Sequence, residues 1–198
     1  MRLMAMITIA VLIRINAGAG PKPGRQVVYL SDNASVPDLV KVRARGLATN
    51  MFATVGVRIV WHIGEPKASS TEALGIELAT RTPAVLLPGA LAYALPFEGI
   101  HIQVFWDRIQ TSSDPARLLA HVFVHEITHV LEGTDHHSET GVMKAHWTRD
   151  DFAHMQHGPL PFTEADIALI QHGLALRNSV SPALVAANHM LVVKATAK

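Results

Sequence analysis

The chain contains no cysteine, which excludes a disulfide framework, a thiolate-held zinc, an iron–sulfur cluster, a cysteine nucleophile and lipid attached through sulfur. An excess of charge of one sign is also missing. Lys and Arg number 17 against 16 Asp and Glu, a formal net charge of +1, so the composition offers no basic surface for a nucleic-acid partner. The clearest apolar run, Leu3 to Ile13, covers only about half of a ~30 Å hydrocarbon core as a helix, and stable membrane anchoring is not expected. No repeat or low-complexity stretch occurs. What remains is 198 residues, 49% hydrophobic and 17% charged, the length and balance of one globular domain. Histidine is the unusual component, at 12 residues.

The first residues read as an export signal. Arg2 precedes the apolar run, and Arg14 and Asn16 lead into Ala17-Gly18-Ala19, the order of positive, apolar and small residues that a signal peptidase recognises. Residues 1–19 are therefore expected to be a signal peptide cut after Ala19, which places the protein in a secreted or periplasmic setting. The competing reading is a buried first strand or helix of the domain. Residues 20–198 then form a single domain, with an N-terminal α/β part to about residue 133 and a C-terminal part from 134.

Hydrophobic periodicity places strands at Gln26–Leu30, Val57–Ile63, Ile76–Thr80 and His101–Trp106, and a helix from Asp38 to about Thr54. Leu86 to Leu95 contains Pro88-Gly89, which suits an edge strand or bulge. Ser113-Asp114-Pro115 opens a long helix and Gly133 ends it. Within that helix Leu119, Val122, Phe123, Ile127, Val130 and Leu131 recur at three- and four-residue spacing, so one side is buried. Thr163 to Asp166 has the form of a capping box for a last helix reaching about Arg177. Strands followed by helices give an α+β class.

On the long helix lies His125-Glu126-Ile127-Thr128-His129, the HExxH pattern. A spacing of four sets both imidazoles on one face, within reach of one ion, and Glu126 sits one position round. A catalytic zinc usually has three protein ligands and an open position. By residue type, Asp135, His136 or His137 could complete the set after the chain turns at Gly133. Glu132 and Asp135 are candidates for orienting the ligand imidazoles by accepting their second N–H. His121, one turn before His125, reads as a supporting or surface residue, His146 as a solvated loop residue and Trp147 as a core residue.

His125-Glu126-x-x-His129, a glycine, a nearby His-Ser pair and then Gly141-Val142-Met143 with Trp147 beyond resemble the zinc-binding and Met-turn region of the metzincin metallopeptidases, matrixins among them. Gly133 and His137 stand farther along the chain than in the usual pattern, as in a group of bacterial secreted metzincin-like proteins with a longer loop. The resemblance covers residues 125–147. It implies a metzincin- or zincin-like fold, a twisted mixed sheet with a long active-site helix and a helical C-terminal half. It also implies Zn2+ held by His125, His129 and His137, with His136 as the substitute, and Met143 as an apolar floor beneath the ligands. The activity it implies is peptide hydrolysis, with Glu126 as general base and then general acid and a peptide or protein as substrate. The edge near Ala90 to Leu95 would receive an extended peptide. No Tyr follows Met143 as the additional ligand or oxyanion donor that some metzincins have.

Two further readings compete. One keeps the HExxH pair and takes a carboxylate as third ligand, Glu164 as in gluzincins or Asp135 as in aspzincins. The other is a zinc-stabilised binding module or pseudopeptidase, whose metal serves the fold.

Overall fold

The computed structural model describes residues 24–66, 73–84, 89–94 and 101–179. The expected signal peptide lies outside these residues, as do most of the polar loop after Glu65, part of the Leu86 to Leu95 stretch and the weakly patterned C-terminal end.

Five strands form one mixed sheet: β1 (Gly24–Asp32), β2 (Val57–Ile63), β3 (Leu74–Ala79), β4 (Ala92–Ala94) and β5 (His101–Phe105), in the order β2-β1-β3-β5-β4. The first four neighbours run parallel and β4 pairs antiparallel with β5 at the edge. Strand pairing keeps like with like: Leu30 lies opposite Ile76, and Ile76 opposite Ile102. Those three, with Val28, Val57, Ile59 and Val104, are buried on one face, which follows from the two-residue alternation of a strand. The other face carries polar groups, with Asn33 and Gln103 both donating to the Glu77 carboxylate.

Helices cover the apolar face. α1 (Asp38–Ala53) buries Ala44, Ala48, Met51 and Phe52, while Leu39, apolar in the sequence pattern, is exposed. α3 (Pro115–Glu132) is the central helix, buried on nearly all sides. Its first turn is capped by Asp114, which accepts the Arg117 N–H at 3.1 Å, with Pro115 at the first helical position. Phe123 meets Trp61 of β2 at 5.4 Å between ring centroids; each large apolar side chain buried in this way stabilises by about 1.5–3 kcal/mol. α5 (Glu164–Ser179) packs Ile170 and Leu174 into the same core. Its expected capping box is present: Asp166 accepts the Thr163 N–H at 2.7 Å and Thr163 Oγ1 accepts the Asp166 N–H at 3.2 Å.

Two elements differ from the periodicity. The strand expected to end at Trp106 stops at Phe105, and Trp106 opens a one-turn helix, α2 (Trp106–Ile109), in which Trp106 and Ile109 are both buried. α4 (Arg149–His157) has only Met155 buried, too little apolar content to show a helical period. A Thr148–Asp151 capping box starts it.

Candidate metal centre

α3 presents His125 and His129 on one face, with ring centroids 4.7 Å apart. Gly133 ends the helix in the left-handed region (φ 68°, ψ 28°), its N–H bonded to the His129 carbonyl at 2.9 Å. A side chain there would cost about 1 kcal/mol or more. The reversal brings His137 to 5.3 Å from His125 and 4.8 Å from His129, between ring centroids. One ligand atom of each residue lies within 4.8 Å of the others, and among the described residues these three form the group able to hold a metal. Asp135 and Glu164, the carboxylate alternatives, are exposed outside it, and the His136 Nε2 is buried without a hydrogen-bond partner.

Neighbouring carbonyls set the tautomers. The His125 Nδ1 faces the Val142 carbonyl at 2.9 Å and the His129 Nδ1 faces that of Thr134 at 3.2 Å. A carbonyl only accepts, so each Nδ1–H donates and each Nε2 keeps a lone pair. For His125 and His129 this corrects the expectation that Glu132 or Asp135 orients them, since backbone oxygens do so. The two Nε2 atoms stand 3.1 Å apart. Lone pairs at that distance repel, and burial holds both imidazoles down at about 4, so a proton does not relieve them at neutral pH. A cation does. Neutral imidazoles converging in this way suit zinc.

The carbonyl that orients His125 belongs to the Gly141-Val142-Met143 turn. Gly141 has φ 78°, and a Cβ there would stand 2.3 Å from the Pro161 oxygen, to which the Val142 N–H donates at 2.9 Å. Met143 is fully buried, and its carbonyl accepts the Ser138 N–H at 2.9 Å, tying the turn to the loop that carries His137. Trp147 donates from Nε1 to the same Val142 carbonyl at 3.3 Å and meets the His125 ring edge-on at 5.7 Å. It therefore belongs to the site as well as to the core. His121 is buried, its Nδ1–H donating to the Arg117 carbonyl at 2.8 Å and its Nε2 accepting the Leu160 N–H at 3.1 Å. With both nitrogens engaged it is a staple between α3 and the segment before α5, a role the sequence did not disclose.

Glu126 lines the same cleft of about 560 Å3 as the three histidines. It makes no hydrogen bond among the described residues, and burial pushes its carboxyl up to about 7. The cleft walls include Gly89 to Tyr93 from the sheet edge, and Lys144 to Trp147 with Phe152 from the segment after Met143. Burial holds the His137 imidazole below its ordinary value; Asp135 opposes this, and His136 and His146 add to it.

Glu132, at the end of α3, has both carboxylate oxygens buried without a hydrogen-bond partner among the described residues. Burial, with the Asp166 charge adding, pushes the group up to about 8 from 4.5. Because the folded value is raised, its contribution to stability is complete below pH 4.5 and is lost as pH rises through 8. Glu132→Gln is expected to raise Tm at pH 8 by about 2–4 °C or more, which corresponds to about 1 kcal/mol after discounting for partial solvent access. At pH 4.5 the two proteins should melt together. A Tm difference that does not change with pH would show that the carboxyl is ionised in the fold.

No protein-family model matches the chain, and no curated protein matches its sequence. Its structure is similar to the crystal structure of archaemetzincin from Methanopyrus kandleri, with a TM-score of 0.50 over 79% of this chain and 99% of that one, at 14% identity. The likeness at that identity is one of fold, and the chain accordingly has a zincin-like fold of mixed sheet and helices with a histidine triad on and beyond its central helix.

Proposed function

We propose that this protein is a zinc-dependent metallopeptidase of metzincin type that cleaves within peptide chains, with His125, His129 and His137 as ligands and Glu126 as general base and acid. The observation that carries the reading is the pair of facing Nε2 lone pairs, 3.1 Å apart with both Nδ1–H groups already engaged. The likeness in fold to archaemetzincin supports it. Zinc in that triad supplies a Lewis acid that polarises a carbonyl and makes water acidic enough to attack near neutral pH.

The protein's own groups do the rest. The Val142 and Thr134 carbonyls hold two imidazoles in the ligating tautomer. Among the described residues Glu126 has no partner to compete for its oxygens, and its raised proton affinity suits it to take the proton of the attacking water and return it to the leaving nitrogen. Among the described residues β4 pairs on one side only, with β5, and its Ala92 and Tyr93 line the cleft. That free edge is where an extended substrate would add as a strand.

Export is part of the same reading: Leu3 to Ile13 with Ala17-Gly18-Ala19 supports cleavage after Ala19, and no helix among the described residues is long and apolar enough to cross a membrane. The test uses the exported protein, whose N-terminal sequence is expected to begin at Gly20. It is loaded with zinc, incubated with an unbiased peptide library, then stripped with a chelator and reloaded. Cleavage that disappears on stripping and returns with zinc is expected. Tight zinc binding with every peptide left intact would favour the binding-module reading instead.

A further inference from the structure

The cleft holds a side-chain donor that no group among the described residues uses. We propose that His146 is a catalytic residue of the same site, its ring N–H donating to the oxyanion that forms as water adds to the scissile carbonyl. This inference rests on the peptidase reading.

Addition of water to a peptide carbonyl turns a neutral oxygen into one carrying a full negative charge. A donor already aimed at that position stabilises the charge more than it stabilises the substrate, and this is where hydrogen bonding accelerates the reaction. Beyond the three ligand histidines, the described residues lining the cleft whose side chains have an N–H or O–H to give are Tyr93, Lys144, His146 and Trp147. Three of them are committed or turned away. The Lys144 ammonium lies 2.5 Å from the Asp151 carboxylate, the group that also caps α4. The Trp147 N–H is held by the Val142 carbonyl. Tyr93 pairs with Gln103, so strand alternation sends its side chain to the face opposite the buried Ile102 and Val104.

His146 is what remains. It makes no hydrogen bond, ion pair or ring contact among the described residues, and it is exposed to the cleft. It stands outside the metal-holding group and lines the same cleft as the three ligand histidines and Glu126. Its backbone is held from both sides, by Lys144 on Asp151 and by Trp147 on Val142, so the free ring sits on a fixed support.

The test compares zinc-loaded wild type with His146→Ala, His146→Asn and His146→Phe on the peptide that the wild type cleaves best. Zinc affinity, Tm, kcat and KM are measured, together with affinity for a phosphinic analogue of that peptide, which mimics the tetrahedral species. His146→Ala is expected to lower kcat about 10²-fold or more while KM, zinc affinity and Tm stay at wild-type values. Affinity for the phosphinic analogue should fall by the same factor as kcat/KM. His146→Asn, which keeps an N–H, should recover part of the rate, and His146→Phe should not. Wild-type kcat in His146→Ala, or a rate loss matched by a loss of zinc, would overturn the inference. A wild type that cleaves nothing would instead remove the peptidase reading beneath it.

Discussion

Glu126→Gln is expected to bind zinc as the wild type does and to hydrolyse peptides about 10²–10⁴ times more slowly, the range that a positioned general base contributes. The amide has the size and shape of the carboxyl but takes up no proton. Glu126 stands outside the ligand group and has no hydrogen bond to lose among the described residues, so metal affinity should not change and Tm should not fall. Burial has already pushed the carboxyl up to about 7, and the neutral amide therefore resembles the form that the fold tolerates well. The measurement is kcat at matched zinc content, with zinc determined on the assayed sample. Equal rates in the two proteins would mean that the proton leaves by another route and that Glu126 has no part in the chemistry.

His137→Ala is expected to weaken zinc binding by more than about 10²-fold, a larger loss than that from removing a group that only orients a ligand. His125 and His129 come from one helix and would still converge, but two imidazoles leave the coordination sphere half open. The third enters on a loop whose shape depends on Gly133 and on the Ser138–Met143 hydrogen bond. Because His137 is exposed, the substitution should leave the Tm of the metal-free protein near that of the wild type. Asp135→Ala, His136→Ala and Glu164→Ala are expected to keep tight zinc. Titration of the metal into all four variants decides the ligand set. If His137→Ala keeps tight zinc while Glu164→Ala loses it, the site is of gluzincin type and the assignment made here is wrong.

Much of the frame was visible in local patterns because local forces produce it. The Asp114 cap, the Pro115 start and the Gly133 stop of α3 lie within one turn of the helix ends, and the Thr163–Asp166 box is local in the same sense. Trp106 misled because it satisfies two patterns at once: it continues the alternation of β5 and also begins a buried helical turn with Ile109. α4 went unseen because a helix lying mostly in solvent needs no apolar period, although the Thr148-x-x-Asp151 signal was there to be read.

The sequence by itself determined that two imidazoles and a carboxyl share one helical turn, since 3.6 residues per turn leaves no other arrangement for His125, Glu126 and His129. It also determined that the helix ends where a residue able to adopt positive φ first appears. Only the tertiary structure decided that the second nitrogens of the imidazoles rest on the Val142 and Thr134 carbonyls and not on Glu132 or Asp135. It alone joined His121 to Leu160, 39 residues away, and left His146 without a partner among the described residues of the cleft. Backbone carbonyls are the same at every position and leave no mark in composition, and a partner distant in the chain is chosen by the packing of the whole core, which no local pattern encodes.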